Sequence, residues 1–391
     1  MIYLDAAATT PVRREVLEAM WPYLTGEFGN PSSHHSVGEA AARALSGARA
    51  TVATVLGCRA SEVVFTSGGT EADNLAVKGI SLATPRGRHV VTSPIEHEAV
   101  LESCEYMRRQ HGFEITYLPV DEFGRVSAAE ARRAIRPETT LCSVMLANNE
   151  VGTIEPVAEI AAVAKELRVP MHTDAVQAAG MLDLDVRALG VDALSISGHK
   201  VGAPKGVGAL FLRGRVATEP VLHGGGQERG RRSGTENVAA AVGLAMALRL
   251  AEDSRGERAL RLTTLRNDLI RGVLAEVPGA VLTGDPVRRL PGCASFCFPG
   301  TSGEAVLLQM EQRGIVCSSG SACAAGSDRP SHVLLAMGIA PEVAQTVVRF
   351  TLSDATTADQ VAEVVRSVRE SCEAVRGIAR CPDVYSPSLQ P

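Results

Sequence analysis

The chain has 391 residues, of which 45% are apolar and 21% charged, and its formal net charge is −5. This composition is typical of a folded protein, and the length predicts two domains. The negative charge argues against a general attraction to nucleic acid or anionic membranes. Nine cysteines without a CxxC pair or metal-ligand spacing argue against a disulfide scaffold and against a resident metal site. The first residues lack the pattern of a signal peptide, so the cytoplasm is the expected location.

Apolar strand-like runs alternate with helical patterns between about residues 50 and 250. The runs are EVVFTS (62–67), RHVVTS (88–93), EITYLPV (114–120), TLCSVMLAN (140–148), PMHTDA (170–175), DALSIS (192–197) and GVGALFLR (206–213). This alternation predicts an α/β fold with helices layered on a mostly parallel sheet. The apolar helical run at 239–251 contains Arg249 and is too short for a membrane span, so it predicts a buried helix.

The pattern changes after residue 230. Two long helical patterns are followed by CASFCFPG, SGEAVLLQMEQRG and TVVRFTLS, which together predict a smaller α+β unit. Gly314 is expected to end the helix within SGEAVLLQMEQRG.

Residues that suit an anion follow the first predicted strand. In TSGGTEADN (66–74), two glycines precede Thr70, which opens a helix. Free N–H groups and the helix dipole at such a position suit a phosphate. The motif is neither a Walker loop nor a GxGxxG fingerprint, and a glycine turn with a threonine cap is the plain structural alternative.

Two later strand ends carry ionisable side chains. Asp174 lies at the end of PMHTDA and Gln177 just after it, where a carboxylate could pair with a cationic ring nitrogen or only cap a helix. Ser197 ends DALSIS, and His199 and Lys200 follow it. Burial of a lysine favours the neutral amine that imine formation needs. Ligands of open α/β sheets bind at such carboxyl ends.

Two further stretches are unusual. HGGGQERGRRSGTEN (223–237) collects several cations in a glycine-rich loop, which suits either an anion partner or a solvated loop. SSGSACAAGS (318–327) surrounds Cys323 with serine, alanine and glycine only. A phosphate cradle, a carboxylate and an imine-capable lysine at neighbouring strand ends together describe a pyridoxal phosphate (PLP) site.

The chain resembles the cysteine desulfurases of the PLP-dependent class V aminotransferase family, in the branch that serves nitrogenase and general iron–sulfur cluster assembly. The resemblance covers residues 2 to about 370. The motifs that carry it are YLDAAATTP, FGNPSS, FTSGGTEADNLA, EHEAVL, NNEVGT, HTDAVQ, SGHKVGAPKGVGAL, GGGQERGRRSGT and SSGSAC.

The resemblance implies a fold and an assembly. The fold would be the aminotransferase-like PLP fold (fold type I), with a mixed, mostly parallel seven-stranded sheet in the large domain. That domain would span 15–255, and a smaller α+β domain would combine 1–14 with 256–391 and carry the cysteine loop at about 318–328. The assembly would be a homodimer.

The resemblance also implies a role for each site residue. Lys200 would bind PLP covalently, Asp174 would hold the ring nitrogen charged, Gln177 would bond the ring hydroxyl, and His97 would stack on the ring and act as acid or base. The phosphate would be bound by Gly69, Thr70, Ser197 and His199, and by Thr235 of the partner subunit. Asn149, which also contacts the cofactor, and Arg349 would hold the substrate carboxylate.

The implied reaction converts L-cysteine to L-alanine and leaves a persulfide on Cys323 for an acceptor protein, such as an iron–sulfur scaffold or a thiolation enzyme. Cys323 could then transiently ligate an iron–sulfur cluster. The alternatives are a selenocysteine lyase, a plain aminotransferase, and a degenerate homologue that only binds partners.

Three local features remain open in the sequence. Asp354 stands where the family usually has glycine after RFTLS, which we expect to affect only the local fit. Cys317 is expected to be a packed strand cysteine and not a second reactive thiol. The pair His34–His35 is expected to mark a turn and not a metal site.

Overall fold

The computed structural model describes residues 1–83, 86–320 and 329–379, and Cys323 lies outside them. The strands are β1 (Ile2–Tyr3), β2 (Val63–Thr66), β3 (His89–Thr92), β4 (Glu114–Tyr117), β5 (Thr139–Ser143), β6 (Met171–Asp174), β7 (Ala193–Ser197), β8 (Gly208–Leu212), β9 (Val281–Leu282), β10 (Cys293–Cys297), β11 (Ile315–Val316) and β12 (Val347–Thr351).

Fourteen α-helices in the described part of the chain alternate with or follow these strands. They are α1 (Arg14–Thr25), α2 (Ser36–Leu56), α3 (Gly69–Asn74), α4 (Ile80–Ala83), α5 (Glu98–His111), α6 (Ala128–Ala134), α7 (Val157–Glu166), α8 (Val186–Leu189), α9 (Val238–Asp253), α10 (Arg255–Glu276), α11 (Gly303–Gln312), α12 (His332–Ala336), α13 (Pro341–Ala344) and α14 (Ala358–Ala379). A π-helical turn over Leu75–Gly79 joins α3 to α4. Within the described residues, no helix is both long and apolar enough to cross a membrane.

Seven strands form one mixed sheet in the order β2-β8-β7-β6-β5-β3-β4. The pairs among β7, β6, β5, β3 and β4 are parallel, while β8 runs antiparallel to both β7 and β2. The predicted mostly parallel sheet is therefore confirmed. Helices cover both faces, with α1, α2, α7 and α9 packed on one side and α3 to α5 on the other. Double coverage explains why the central strands are buried along their whole length.

A second apolar core lies outside this sheet. It joins Leu4 to residues of β10, β12, α10, α11 and α14. Strand β1 pairs in parallel with β11, so the first residues of the chain belong to this second core. Gly314 adopts φ +74° directly after α11, as the sequence pattern predicted for a helix-ending glycine. The domain limits 15–255 and 256–391 remain a prediction.

Asp354 has a larger role than the sequence predicted. Its carboxylate lies 2.7 Å from Arg258 and 3.1 Å from Arg13, and its main-chain oxygen accepts a hydrogen bond from Arg261. Arg258 is buried and also donates to the main-chain oxygen of Gly180, near the large sheet. One carboxylate therefore ties the N-terminal segment, α10 and the segment after β12 together.

Replacing Asp354 with asparagine is expected to lower the free energy of unfolding by about 1–2 kcal/mol, because the buried Arg258 guanidinium loses its charged partner. The loss is moderated by the exposure of Asp354. Urea unfolding of Asp354→Asn against wild type measures this. Glu18→Gln, which breaks an exposed pair with Arg14 on α1, is the matched control and should change stability by less than about 0.5 kcal/mol. Equal effects of the two changes would contradict the role of Asp354.

Candidate active site

A cavity of about 490 Å³ opens at the carboxyl ends of the central strands. Most of the predicted site residues line it: Gly69, Thr70, His97, Asn149, Asp174, Gln177, Ser197, His199, Lys200 and Arg349. Thr235 does not line the cavity, and it is exposed in the loop between β8 and α9. Its predicted place in a partner subunit's site stays a prediction.

One end of the cavity is suited to an anion. The chain turns from β2 into α3 at Gly69, where a Cβ atom would lie 2.8 Å from Val176 and 3.3 Å from Ser197. Only glycine permits this close approach, which brings the start of α3 against the end of β7. Thr70, Ser197 and His199 contribute hydroxyl and imidazole groups at the same end.

His199 is uncharged at neutral pH. Burial lowers its pKa to about 4, and the neighbouring Lys200 and Lys205 act in the same direction. Its Nδ1 lies 3.1 Å from the hydroxyl of Thr9. The hydroxyl of Thr10, in the same N-terminal segment as Thr9, donates to the main-chain oxygen of His199. The N-terminal segment therefore fixes the orientation of this imidazole.

Lys200 lies in a 3₁₀ turn directly after β7. Its ammonium donates to the main-chain oxygens of Ala7 and, at 2.9 Å, of Ala8. Gln177 donates to the same oxygen of Ala7 at 3.0 Å. The two carbonyl groups thus hold the lysine at the floor of the cavity, beside the residue expected to bind the ring hydroxyl.

Asp174 ends β6 and is buried beneath the same floor. Burial raises its pKa, while His97, the main-chain amide of Val176 and Lys200 lower it. The Val176 amide donates to Asp174 Oδ1 at 2.8 Å. His97 begins α5, where its Nδ1 accepts the Ala99 amide at 3.0 Å and so fixes the ring.

Arg349 in β12 closes the opposite side of the cavity and is 2% exposed. Its guanidinium donates to the main-chain oxygen of Asn149 at 2.7 Å and to Asp5 at 2.8 Å. The Nε atom has no hydrogen-bond partner among the described residues. This cation, held on two sides and incompletely paired, suits a carboxylate ligand.

Cations of the loop 223–237 have partners within this chain, and for Arg232 that partner is an anion, one of the two alternatives that the sequence left open. Arg229 and Arg231 donate to the main-chain oxygens of Val63 and Ser61, and Arg232 binds Glu71 at 2.9 Å. The carboxylate of Glu228 is buried and accepts two hydrogen bonds from the guanidinium of Arg49 in α2. The loop is therefore fastened beside the start of α3.

Several residues that line the cavity were not predicted. They include Ala7, Ala8, Asp73, Glu98, Glu150, Val176, Lys205 and His332. Glu96, just before His97, is buried against β5 and bonds the Met145 amide at 3.0 Å. The sequence signal that could have found Glu96 is its position between the predicted strand RHVVTS and His97.

The two other open features have structural explanations. Burial raises the pKa of the Cys317 thiol to about 12, and this residue packs against the second core. A thiol in that environment stays protonated and unreactive. The imidazole of His35 accepts the Gly38 amide at 3.2 Å and so caps α2.

The class-V aminotransferase family model matches residues 2–364. A cysteine desulfurase of Methanosarcina thermophila, named IscS, is 47% identical over 97% of this chain and 93% of its own length. The chain belongs to the cysteine desulfurase branch of the class-V aminotransferase family. Among solved structures, a NifS-like protein has a TM-score of 0.89, with 37% identity over 95% of this chain and 99% of its own.

A further solved structure is also similar to this cysteine desulfurase family member. The protein SspA, solved in complex with cysteine, has a TM-score of 0.79 and 37% identity over 90% of this chain and 99% of its own. The predicted fold and family are therefore confirmed.

The cysteine desulfurase uses PLP as its cofactor, and the cavity fits it. PLP needs an amine for its aldehyde, a carboxylate for its ring nitrogen and donors for its phosphate. Lys200, Asp174 and the group Thr70, Ser197 and His199 supply these three functions in one cavity. The close approach at Gly69 leaves the phosphate end open to main-chain N–H groups.

Proposed function

We propose that this cysteine desulfurase removes the sulfur atom from L-cysteine, releases L-alanine, and carries the sulfur as a persulfide on Cys323. The observation that carries the proposal is the single cavity that holds Lys200, Asp174 and Arg349 together. The chemistry fits the sulfurtransferase class. When bound, PLP supplies an electron-accepting ring that acidifies the α-proton of the substrate.

Different residues of the cavity are assigned to binding the substrate, holding the cofactor and moving the proton. Arg349, with Asn149, binds the substrate carboxylate and orients the amino acid. Lys200 would hold the cofactor before the substrate arrives, and its released amine would then take the Cα proton. Asp174 would supply a negative charge to the ring nitrogen, and His97 would pack on the ring and serve as an acid or base.

The sulfur step balances without a further reagent. The Cys323 thiolate attacks the substrate sulfur, so that an S–S bond forms while the Cβ–S bond breaks. The electron pair of that bond returns to the substrate carbon skeleton, which gains protons and leaves as alanine. A thiol has an ordinary pKa of about 8.5, so Cys323 must lose its proton before it attacks.

The test is the formation of alanine and sulfide from L-cysteine by the purified yellow protein. Equal amounts of alanine and sulfide, with a labelled persulfide that moves from the chain to an acceptor protein, support the proposal. Transamination without sulfide release would favour a plain aminotransferase. A much faster reaction with L-selenocysteine would favour a selenocysteine lyase.

The acceptor and the location follow from the same chemistry. A protein-bound persulfide suits an iron–sulfur scaffold or a thiolation enzyme, because either one receives sulfur by exchange at a thiol. All seven cysteines in the described part of the chain are free thiols, which is consistent with a reducing cytoplasm.

A lysine in place of Arg349 is expected to raise KM for L-cysteine about 10- to 100-fold, because a point charge replaces the fork that binds a carboxylate. The kcat value should change less, since the reacting atoms keep their partners. Steady-state assays of alanine formation measure both. Asp5→Asn is the matched control, because it removes the Arg349 partner at 2.8 Å and keeps the guanidinium. An unchanged KM in Arg349→Lys would contradict this role.

A second copy of the chain is the proposed partner of one exposed apolar face. Leu17, Trp21, Leu24 and Phe28 are 53%, 66%, 59% and 73% exposed. The spacing of Leu17, Trp21 and Leu24 places them on one side of α1, and Phe28 follows the helix, while Val16 and Met20 on the other side of α1 are buried. A surface of this kind marks a protein interface, and it supports the homodimer.

Replacing Trp21 with lysine is expected to weaken the dimer about 30-fold, the typical loss when a tryptophan at the centre of an interface is removed. Sedimentation equilibrium measures the dissociation constant, and the fluorescence of Trp21, the single tryptophan, reports its burial. Leu260→Lys is the control, because Leu260 is 75% exposed on α10, away from this face. A dimer that tolerates Trp21→Lys but not Leu260→Lys would move the interface to α10.

A further inference from the structure

The carboxyl group of Asp73 lies beneath the cavity and has no part in the steps above. Asp73 lies in α3 and is 1% exposed. It lines the same cavity as Asp174. Its Oδ1 atom is buried and has no hydrogen-bond partner among the described residues.

Asp73 packs on the sheet face that carries Asp174. His172 and Asp174 are two residues apart in β6, so their side chains point to the same face. His172 Nε2 lies 3.7 Å from Asp73 Oδ1. Ser195 pairs with Asp174 across β6 and β7, and its side chain lies near the Asp73 carboxyl, whose ionised form it favours. The two carboxyl groups are therefore neighbours on one buried surface.

The groups that surround Asp73 do not neutralise a charge on it. Burial lowers the pKa of His172 to about 3, so this imidazole is uncharged, and it is held by Ser143 at 2.8 Å and Ser195 at 3.0 Å. Burial raises the pKa of Glu96 to about 8, so this carboxyl group is mostly protonated at neutral pH. Burial first, then Asp174 and Glu96, raise the pKa of Asp73 well above its ordinary value, and only Ser195 opposes them.

Asp174 has different neighbours. The charges of His97 and Lys200 and the Val176 amide all favour its ionised form. Two neighbouring buried carboxyl groups resist being charged together, because each raises the energy of the other's anion. The proton therefore belongs to the member without cationic partners.

We propose that Asp73 and Asp174 share one negative charge, that Asp73 carries the proton, and that Asp73 is a positioning residue that keeps Asp174 as the ionised partner of the cofactor ring. This inference rests on the proposed function because it takes Asp174 as the partner of the cofactor ring nitrogen. An uncharged Asp73 packs near Asp174 without adding a second negative charge to the site.

The first test is the pH dependence of stability in Asp73→Asn, measured as urea unfolding of the cofactor-loaded protein. A carboxyl group that is protonated in the folded state and ionised in the unfolded state costs stability as pH rises above the unfolded pKa of about 3.9. The variant lacks this group. Its unfolding equilibrium constant, relative to wild type, should therefore fall about tenfold per pH unit between about pH 5 and 7.

Asp359→Asn, at an exposed position in α14, is the matched control and should show no such trend. A constant difference between Asp73→Asn and wild type across this pH range would overturn the proposal, because it would mean that the pair holds no proton.

The second test locates the proton and does not depend on the folding of Asp73→Asn. Wild-type protein with ¹³C-labelled aspartate should show the infrared C=O band of a protonated carboxyl group at pH 7. Ser195→Ala should shift that band, since the Ser195 side chain lies near the Asp73 carboxyl and acts on its ionisation. Ser143→Ala, which loses only the far-side contact to His172, should leave it in place.

An absent band would overturn the proposal, and so would a band that Ser195→Ala leaves unmoved, since the proton would then be on another aspartate. These readouts follow a carboxyl proton and not turnover. A protein that carried the proton but released no sulfide would refute the proposed function and keep this inference.

Discussion

Alanine in place of Lys200 is expected to lower the desulfuration of L-cysteine by about 10³-fold or more, because the cavity then lacks both the amine that holds PLP and the base that takes the α-proton. Reduction with borohydride should fix PLP permanently to the wild-type chain and not to Lys200→Ala. Alanine formation and the protein-bound pyridoxyl group measure the two losses separately.

Lys205→Ala is the matched control for this change. Lys205 lines the same cavity but is exposed, and no role in the reaction is assigned to it. It should change the rate only a few-fold, through the loss of a nearby charge. A Lys200→Ala protein that retained normal activity and a reducible link to PLP would refute the assignment of Lys200.

Serine in place of Cys323 is expected to abolish sulfur transfer, with a loss on the order of 10⁴-fold or more, as for other nucleophiles removed from covalent mechanisms. PLP binding should be unchanged, because none of the cofactor's proposed ligands is altered. Labelled sulfur retained on the chain after treatment with L-cysteine is the direct measurement, and the absorbance of bound PLP is the accompanying one.

The control for Cys323 is Cys317→Ser. Cys317 is six residues away in sequence, but burial raises its pKa to about 12, so it holds little thiolate at neutral pH. This variant should keep labelled persulfide and sulfide release close to wild type. Persulfide that disappears with Cys317 and persists without Cys323 would reverse the assignment.

The central sheet could be predicted closely because its strands are buried on both faces. PMHTDA and DALSIS are short apolar runs bounded by turn residues, and they became Met171–Asp174 and Ala193–Ser197. Because parallel strands end at one edge of a sheet, Asp174 and Lys200 were expected to be close in space. The structure places both on the lining of one cavity.

The first helix could not be predicted in the same way. Its apolar residues occupy two sides, with Val16 and Met20 buried and Leu17, Trp21 and Leu24 exposed. Their spacing has the usual helical period, but it does not show which of them face the core of this chain and which stay exposed. Periodicity rules describe how one chain packs on itself, so they do not predict which apolar residues contact a second chain.

The groups that hold the cavity residues in place could not be predicted for a different reason. The carbonyl groups of Ala7 and Ala8 hold Lys200, and main-chain atoms have no signature in a sequence. Asp73 and Glu96 were visible as acids, but their burial comes from the packing of α3 and the segment before α5 on the sheet. The partners of loop arginines such as Arg232 could not be named from the sequence for the same reason, since they are distant in sequence.

The N-terminal segment connects two regions that are otherwise built separately. Ile2 and Tyr3 pair with β11, while Ala7 and Ala8 accept from Lys200 and Thr9 contacts His199. Proteolytic nicking between β1 and α1 would therefore break a strand pairing and loosen the floor of the cavity in one event. The yellow colour of the protein would fade while its circular dichroism still reported an intact large sheet. Loss of the cofactor absorbance would therefore report whether the first ten residues of the chain are intact.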